Sequence, residues 1–483
     1  MMLRGNIALM RNLKAGVYEK AAFGVIAVAI LIRVLLIAYG WPNTESDEGV
    51  LDLMALHIAY RGEHPIFIYG QNYMGSLEAF LGAGLFHIFG VSVFTVRLGL
   101  VILFVLFLIS MYLMTSLLYN KKFALFTLVL LSLGSSSILS REVETLGGRP
   151  ENLFFGSMMM LISFWLALTY HQSTSRRERI VRITLYSLLG LTTGLALWSD
   201  LLILPFVLMI APFFVFFCWK EIWSWRPVCL LLGLLIGAFP IILYNMTAPP
   251  GQNTLTTLQS VRQGPTGFAN YHLPLTQGII VTVQESLPHA TGAYPLCPVA
   301  ISPLPEHLGP HGLQCTLLYG GWGLGFITLC MLAILLAIPG LYKFWSHFRI
   351  QKVSSEDRQD AIRDSARLVL LGGAGLTLLL YALSQQTAVL PFRSVRYLTP
   401  LLIAVPAVIW PLWLGASRIQ KLLLFKRASI KVIFCRALLL LIAVTFLLDT
   451  ISAFGEIPKA QAVTQQQTRL IQDLLRINAK HIY

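Results

Sequence analysis

Met74-Gly-Ser-Leu-Glu-Ala-Phe-Leu-Gly-Ala-Gly-Leu-Phe-His-Ile-Phe-Gly90 decides how this chain is threaded. The stretch is apolar, yet it carries Glu78, His87 and several glycines. If residues 74–94 cross a bilayer, every later loop changes side. Arg4, Arg11, Lys14 and Lys20 put the N-terminus in the cytoplasm, because Lys and Arg accumulate in cytoplasmic loops. Without a crossing at 74–94, the later basic clusters fall on that same side. These are Lys121 and Lys122; Arg176, Arg177, Arg179 and Arg182; Lys220 and Arg226; Lys343, Arg349 and Lys352; and Arg418, Lys421, Lys426, Arg427 and Lys431. With a crossing, all of them move outside. The segment therefore reads as a re-entrant or interfacial helix.

Composition agrees with a membrane setting. Of 483 residues, 56% are hydrophobic and 12% charged, against about 25% charged in a soluble domain. Mean hydropathy is +0.71. Runs of about 18 or more apolar residues recur, each long enough to cross roughly 30 Å of hydrocarbon. Expected spans are 21–40, 98–118, 123–140, 152–171, 183–199, 201–218, 228–246, 319–342, 367–384, 397–416 and 434–453. The alternating short segments of a β-barrel are not seen. The first run is too long for a signal-peptide core and reads as a retained span. The net charge of +14 is a loop property of the positive-inside kind, not a nucleic-acid footprint. The chain is thus expected to be an all-α polytopic membrane protein. It divides into a cytoplasmic N-terminus (1–20), a transmembrane domain (21–453) and an outer, amphipathic tail (454–483).

This threading gathers the polar residues outside. The first outer loop, 41–97, holds Asp47, Glu48, Asp52 and Glu63 within and after Trp41-Pro-Asn-Thr-Glu-Ser-Asp-Glu-Gly49. A short loop at 141–151 reads Arg-Glu-Val-Glu-Thr-Leu-Gly-Gly-Arg-Pro-Glu. A long loop, 247–318, is rich in Pro and Gly, with a short helix expected near 276–286 and a lid or binding role for the whole. Its histidines lack a tight metal-ligand spacing. The last loop, 385–396, ends Pro391-Phe-Arg-Ser-Val-Arg396. Cys297 and Cys315 both lie outside, where an oxidising compartment would let them form a disulfide. Cys218, Cys229, Cys330 and Cys435 lie in or beside spans and read as small core residues.

The order of these features resembles the GT-C superfamily of membrane glycosyltransferases, in the branch related to dolichyl-phosphate-mannose protein mannosyltransferases and aminoarabinose transferases. Asp47-Glu48 resembles the Asp-Glu motif of that family's first outer loop. Tyr73-Met-Gly-Ser-Leu-Glu-Ala-Phe, Leu85-Phe-His-Ile-Phe-Gly90 and Arg97-Leu98 look like its interfacial helix and the start of its second span. Glu151-Asn-Leu-Phe-Phe, Gly190-Leu-Thr-Thr-Gly-Leu-Ala-Leu-Trp198 and Arg396-Tyr-Leu-Thr-Pro400 resemble later elements. The likeness covers about residues 20–450. It departs at Glu151, where the family often has Asp, and in the 247–318 loop, which matches no family motif. It implies a GT-C fold with about eleven spans and an interfacial helix pair in the first outer loop.

The resemblance also implies a chemistry. The donor would be a polyprenyl-phosphate-linked sugar in the lipid bilayer. An acceptor hydroxyl needs a base, and the departing lipid phosphate needs its charge stabilised. The resemblance makes Asp47 that base, or else a holder of acceptor or of a divalent cation, with Glu48 supporting it. Glu151 would bind acceptor or metal, with Glu144 and Glu142 competing for that part. Arg396 and Arg393 would grip the donor phosphate through charge-assisted bonds. Arg61, Arg141, Arg149 and Asp200 come after them. Each has a plain alternative: acids favour helix N-termini, arginines at a span end snorkel to headgroups, and Tyr69 and Tyr73 suit an interfacial aromatic belt. Arg33, inside the first span, calls for a buried partner or snorkelling. The resemblance leaves the need for a divalent cation open. It places the protein in a bacterial cytoplasmic membrane with its active site extracytoplasmic. Rival readings are a secondary transporter, against which no internal repeat is found, and an enzyme like the O-antigen ligases and polymerases, which the large outer loop keeps in play.

Overall fold

The computed structural model describes residues 16–170, 175–263, 274–293, 310–349, 355–384, 394–417 and 430–476. Helix α1 (Val17–Ala38) is followed by α2 (Ser46–Arg61), an antiparallel hairpin of β1 (Phe67–Ile68) and β2 (Gln71–Gly75), and α3 (Leu77–Phe89). Next come α4 (Val93–Leu118), α5 (Lys121–Ser132), α6 (Ser136–Val143), α7 (Arg149–Leu168) and α8 (Arg176–Ser199). A 3-10 turn (Leu201–Ile203) leads into α9 (Leu204–Phe217), then α10 (Trp219–Ile222), α11 (Arg226–Gly237) and α12 (Phe239–Thr247). The 247–318 region contains α13 (Thr254–Gln263), α14 (Leu275–Val281), a π-helical turn (Thr282–Ser286), α15 (Leu287–Thr291) and the start of α16 (Pro310–Arg349). The chain ends with α17 (Ser355–Ala382), a 3-10 segment (Val395–Ala404) running into α18 (Val405–Ser417), α19 (Ile430–Gly455) and α20 (Ile457–Arg476).

Among the described residues, eight helices are long and apolar enough to cross a bilayer, and two bent pairs, α5 with α6 and α11 with α12, would each add one. The protein is a multi-pass, all-α membrane protein. The remaining expected span, 201–218, is the shorter apolar helix Leu201–Phe217. Helix α3 has 13 residues, or about 20 Å of rise, too short for roughly 30 Å of hydrocarbon. It packs on α2 and α4 as the second member of a helix pair beside the first span. The small hairpin between the pair was not expected.

The α5–α6 pair bends by 85°. Irregular backbone at membrane depth is tolerated only where protein satisfies it, and here it is. Arg33 donates to the Ser132 carbonyl at 2.9 Å, and the Gly134 amide donates to Thr450 Oγ1 at 3.0 Å. Ser135 caps α6 by accepting from the Ile138 amide. Arg33 in turn pairs with Glu142 through Nε at 3.1 Å and Nη2 at 2.5 Å, with its guanidinium 3.8 Å from the centre of the Phe104 ring. That is the buried partner Arg33 called for, and it ties Glu142 into the bundle.

At the other end, Glu221 receives Arg182 (2.6 Å), Arg226 (2.5 Å) and the Tyr186 hydroxyl (2.5 Å), binding α8, α10 and α11 together. Helices α8 and α11 approach along Gly190–Gly194 and Gly233–Gly237, a small-residue seam. A Cβ on Gly190 would sit 1.9 Å from the Leu230 carbonyl oxygen.

Within the 247–318 region, the stretch Leu287–Thr291 is not a surface connector. Residues Leu287–Thr291 are all buried, and Trp322 of α16 donates to Thr291 Oγ1 at 2.8 Å. Helix α16 starts at Pro310, inside the stretch expected to be loop. Cys315 is buried and disulfide-bonded, whereas Cys297 lies outside the described residues.

Candidate active site

The 3-10 segment Val395–Ala404 owes its form to Pro400, which has no N–H to give the Arg396 carbonyl. The Thr399 hydroxyl donates to that carbonyl instead, at 2.8 Å. This tight segment presents Arg396 to the N-terminus of α2. There Arg396 Nη1 lies 3.5 Å from Asp47 Oδ2, with both side chains about one third exposed (28% and 36%). Two residues that are distant in sequence thus meet at one mouth of the bundle. Arg396 also donates to the Tyr397 hydroxyl at 3.4 Å. Its Nε has no hydrogen-bond partner among the described residues.

Glu48 does something different from its neighbour. It is fully buried and accepts from Arg97 Nε and Nη2, both at 2.7 Å, and from the Thr145 hydroxyl at 2.9 Å. This fastens the start of α2 to α4 and to the loop that enters α7. Asp52, about one turn further on, is pushed up to about 7 by burial and by the Glu48 carboxylate.

The loop entering α7 is built on Gly147 and Gly148, both at positive φ (81° and 76°). The Gly147 amide donates to Glu78 Oε2 at 3.1 Å, so the acid of α3 anchors this turn, and burial raises its pKa. A Cβ on Gly148 would lie 2.6 Å from the Asp200 Cβ. Burial likewise pushes Asp200 up to about 6, although Arg149 and Arg396 oppose the shift. Glu151 is buried and accepts from the Ser199 hydroxyl at 2.5 Å.

Arg149 stands in the middle of this arrangement. It is 3% exposed, and its Nε and Nη1 have no hydrogen-bond partner among the described residues. Arg396, Glu78, Asp200 and Tyr397 are all within electrostatic reach of it. Arg141, also buried, donates to the Val395 carbonyl at 3.4 Å and to Ser137 Oγ. Tyr73 feels Tyr397, Asp200, Arg396 and Asp47, and burial raises its pKa. So Asp47, Arg396, Arg149, Asp200, Tyr73 and Tyr397 form one constellation, with unpaired guanidinium N–H groups inside it.

The chain resembles membrane glycosyltransferases of known structure. The archaeal oligosaccharyltransferase AglB from Archaeoglobus fulgidus, in complex with an inhibitory peptide and a dolichol-phosphate, is 17% identical over 90% of this chain, with a TM-score of 0.47. The Archaeoglobus fulgidus oligosaccharyltransferase with Zn and sulfate is 15% identical over 89%, with a TM-score of 0.48. ArnT from Cupriavidus metallidurans bound to undecaprenyl phosphate is 15% identical over 84% of this chain and 80% of its own, with a TM-score of 0.38. The chain spans only 56% and 53% of the two oligosaccharyltransferase chains. No protein-family model matches it, and no curated protein does.

Among the sequence candidates, Asp47 and Arg396 come together. Glu48 and Glu151 are buried in hydrogen bonds to the scaffold, and Glu144 lies on a separate cavity. Arg393 falls outside the described residues. Arg149, a weaker candidate in sequence, is set apart by burial with Nε and Nη1 unpartnered among the described residues. Among the described residues, no three Asp, Glu, His or Cys side chains are placed to hold a metal ion.

Proposed function

We propose that the protein is a glycosyltransferase that moves a sugar from a polyprenyl-phosphate donor to an acceptor at the extracytoplasmic face of a bacterial cytoplasmic membrane. The observation that carries this is Arg149, buried with unpaired N–H groups beside Arg396 and Asp47. Buried guanidinium donors without partners are built for an anion, and phosphate suits their fork geometry.

In this reading Arg149 and Arg396 hold the donor phosphate. The acceptor hydroxyl attacks the anomeric carbon, the carbon–oxygen bond to phosphate breaks, and the lipid phosphate leaves with its charge held by the two guanidinium groups. Asp47 takes the hydroxyl proton. Its contact with Arg396 is long for an ion pair, so an arriving phosphate displaces it and leaves the carboxylate to the acceptor. Glu48 acts through Arg97 as a positioning residue. Glu78 and Asp200, within electrostatic reach of Arg149, support it. The membrane domain, 21–453, carries the whole site, with residues 1–20 inside and 454–483 outside. The basic loops support that orientation, as does the disulfide-bonded Cys315 at the start of α16, since such bonds persist in oxidising compartments.

The test is release of polyprenyl phosphate by purified protein in liposomes, with a panel of polyprenyl-phosphate sugars and a membrane extract as acceptor source. Wild type should release it. Asp47→Asn should bind donor but not turn over. Turnover unchanged by that substitution would remove Asp47 as the base.

A further inference from the structure

A cavity of about 420 Å³ opens beside the chain that enters α2, with Trp41, Glu45, Ser136, Glu144, Glu456 and Lys459 in its lining. It lies between the chain entering α2, helix α6 and the α19–α20 junction, within the roughly 300–1,000 Å³ range of small-ligand pockets. None of the mechanism above uses it.

Its chemistry is specific. Glu144 is 7% exposed, yet its carboxyl group makes no hydrogen bond among the described residues and faces this space. Nor does the buried Ser136 hydroxyl make one. Both residues line the cavity and are open to whatever fills it. Burial first, then the carboxylates of Glu45 and Glu48, push Glu144 up to about 8, against the pull of Arg97 and Arg149. At neutral pH it is mostly a carboxylic acid, able both to donate and to accept. Glu456 is already engaged by the Trp41 indole N–H at 3.2 Å, and Lys459 stands on the same wall. Glu45 and Glu456 bring two carboxylates to the lining beside the one ammonium of Lys459, acceptors to which hydroxyl groups can donate. A ligand of hydroxyl groups and C–H faces would meet serines, a neutral acid, an amide and the apolar surface of Trp41, Pro42 and Ala460.

We infer that this cavity is the acceptor subsite and takes a neutral saccharide. Its position fits, because Glu45 lines the cavity, lies two residues from Asp47 and is within electrostatic reach of Arg396. The acceptor role rests on the glycosyl-transfer reading; the saccharide site itself does not.

Full-length protein in lipid nanodiscs, titrated with methyl glucoside, methyl mannoside, methyl galactoside, maltose and lactose, tests this by saturation-transfer NMR. Ethanolamine and spermidine serve as cationic comparators. At least one neutral saccharide should bind saturably and the amines should not compete. Glu144→Ala and Lys459→Trp, the second covering the cavity from an exposed position, should each weaken binding roughly tenfold or more. Both variants should bind undecaprenyl phosphate as wild type does, which shows that they are folded. The inference is overturned if no saccharide binds at roughly 10 mM, where a millimolar complex would be mostly formed. It is equally overturned if only the amines bind, or if both variants leave saccharide binding intact. Saccharide binding by a wild type that does not bind undecaprenyl phosphate would instead sink the arginine-site reading.

Discussion

Arg97 clasps Glu48 through two nitrogens, each at 2.7 Å, with both side chains almost wholly buried. The adjacent Asp47 is held by one long contact to Arg396 at the protein surface. Neighbouring acids thus have opposite duties, one fixing the frame and one left free to exchange partners.

Stability should separate them. Glu48→Gln leaves the Arg97 charge buried without its counter-ion, a loss of about 3–5 kcal/mol. Asp47→Asn touches only an exposed pair and should stay within about 1 kcal/mol of wild type. Thermal unfolding in detergent reads both. Equal shifts would mean that Glu48 is not the anchor described here.

Arg149→Gln should weaken undecaprenyl phosphate binding by about 10- to 100-fold, the worth of a charged hydrogen bond in a buried site. Titration of the lipid phosphate into the nanodisc-embedded variant measures this. Unchanged affinity would assign Arg149 to the scaffold.

Glu144 predicts a pH dependence. Its folded-state pKa, about 8, is raised from an ordinary 4.5. Between those values the folded state keeps a proton that the unfolded state has lost, so stability falls as pH rises, by at most about 1.4 kcal/mol per unit. The penalty is complete above about pH 8 and absent below 4.5. Glu144→Gln should remove this component, so its melting-temperature advantage over wild type should grow from pH 5 to pH 8.5. Parallel profiles would place the raised acid elsewhere.

The α8–α11 seam gives a packing test. Gly190→Ala drives a methyl group into the Leu230 carbonyl, and overpacking of this kind costs about 1–3 kcal/mol or more. Gly375→Ala in α17 has nothing within 4 Å of the added carbon and should be silent. Folded yield and melting temperature of the two variants provide the comparison.

The spans were legible in the sequence because a long apolar run is a local property, visible without knowledge of any contact. The distribution of loop charge led to the reading of 74–94 as a segment that does not cross, and the 13-residue length of α3 is consistent with it. Pairings were not legible. Arg33 and Glu142 are 109 residues apart in sequence, and no periodicity joins them. Strands β1 and β2 are too short to carry an alternation. The unusual state of Arg149 is a missing contact, and missing contacts exist only in three dimensions. Arg396 was legible as a candidate, but its meeting with Asp47 depends on the tight turn that Pro400 imposes.

Nε and Nη1 of the buried Arg149, without a hydrogen-bond partner among the described residues, have a consequence for handling the molecule. In the proposed reading, a lipid phosphate held by these groups binds the folded state alone and stabilises it by mass action. On that reading the carrier lipid would be part of what keeps the protein folded. Extraction that strips it should yield a more fragile protein, and returning it should restore the loss.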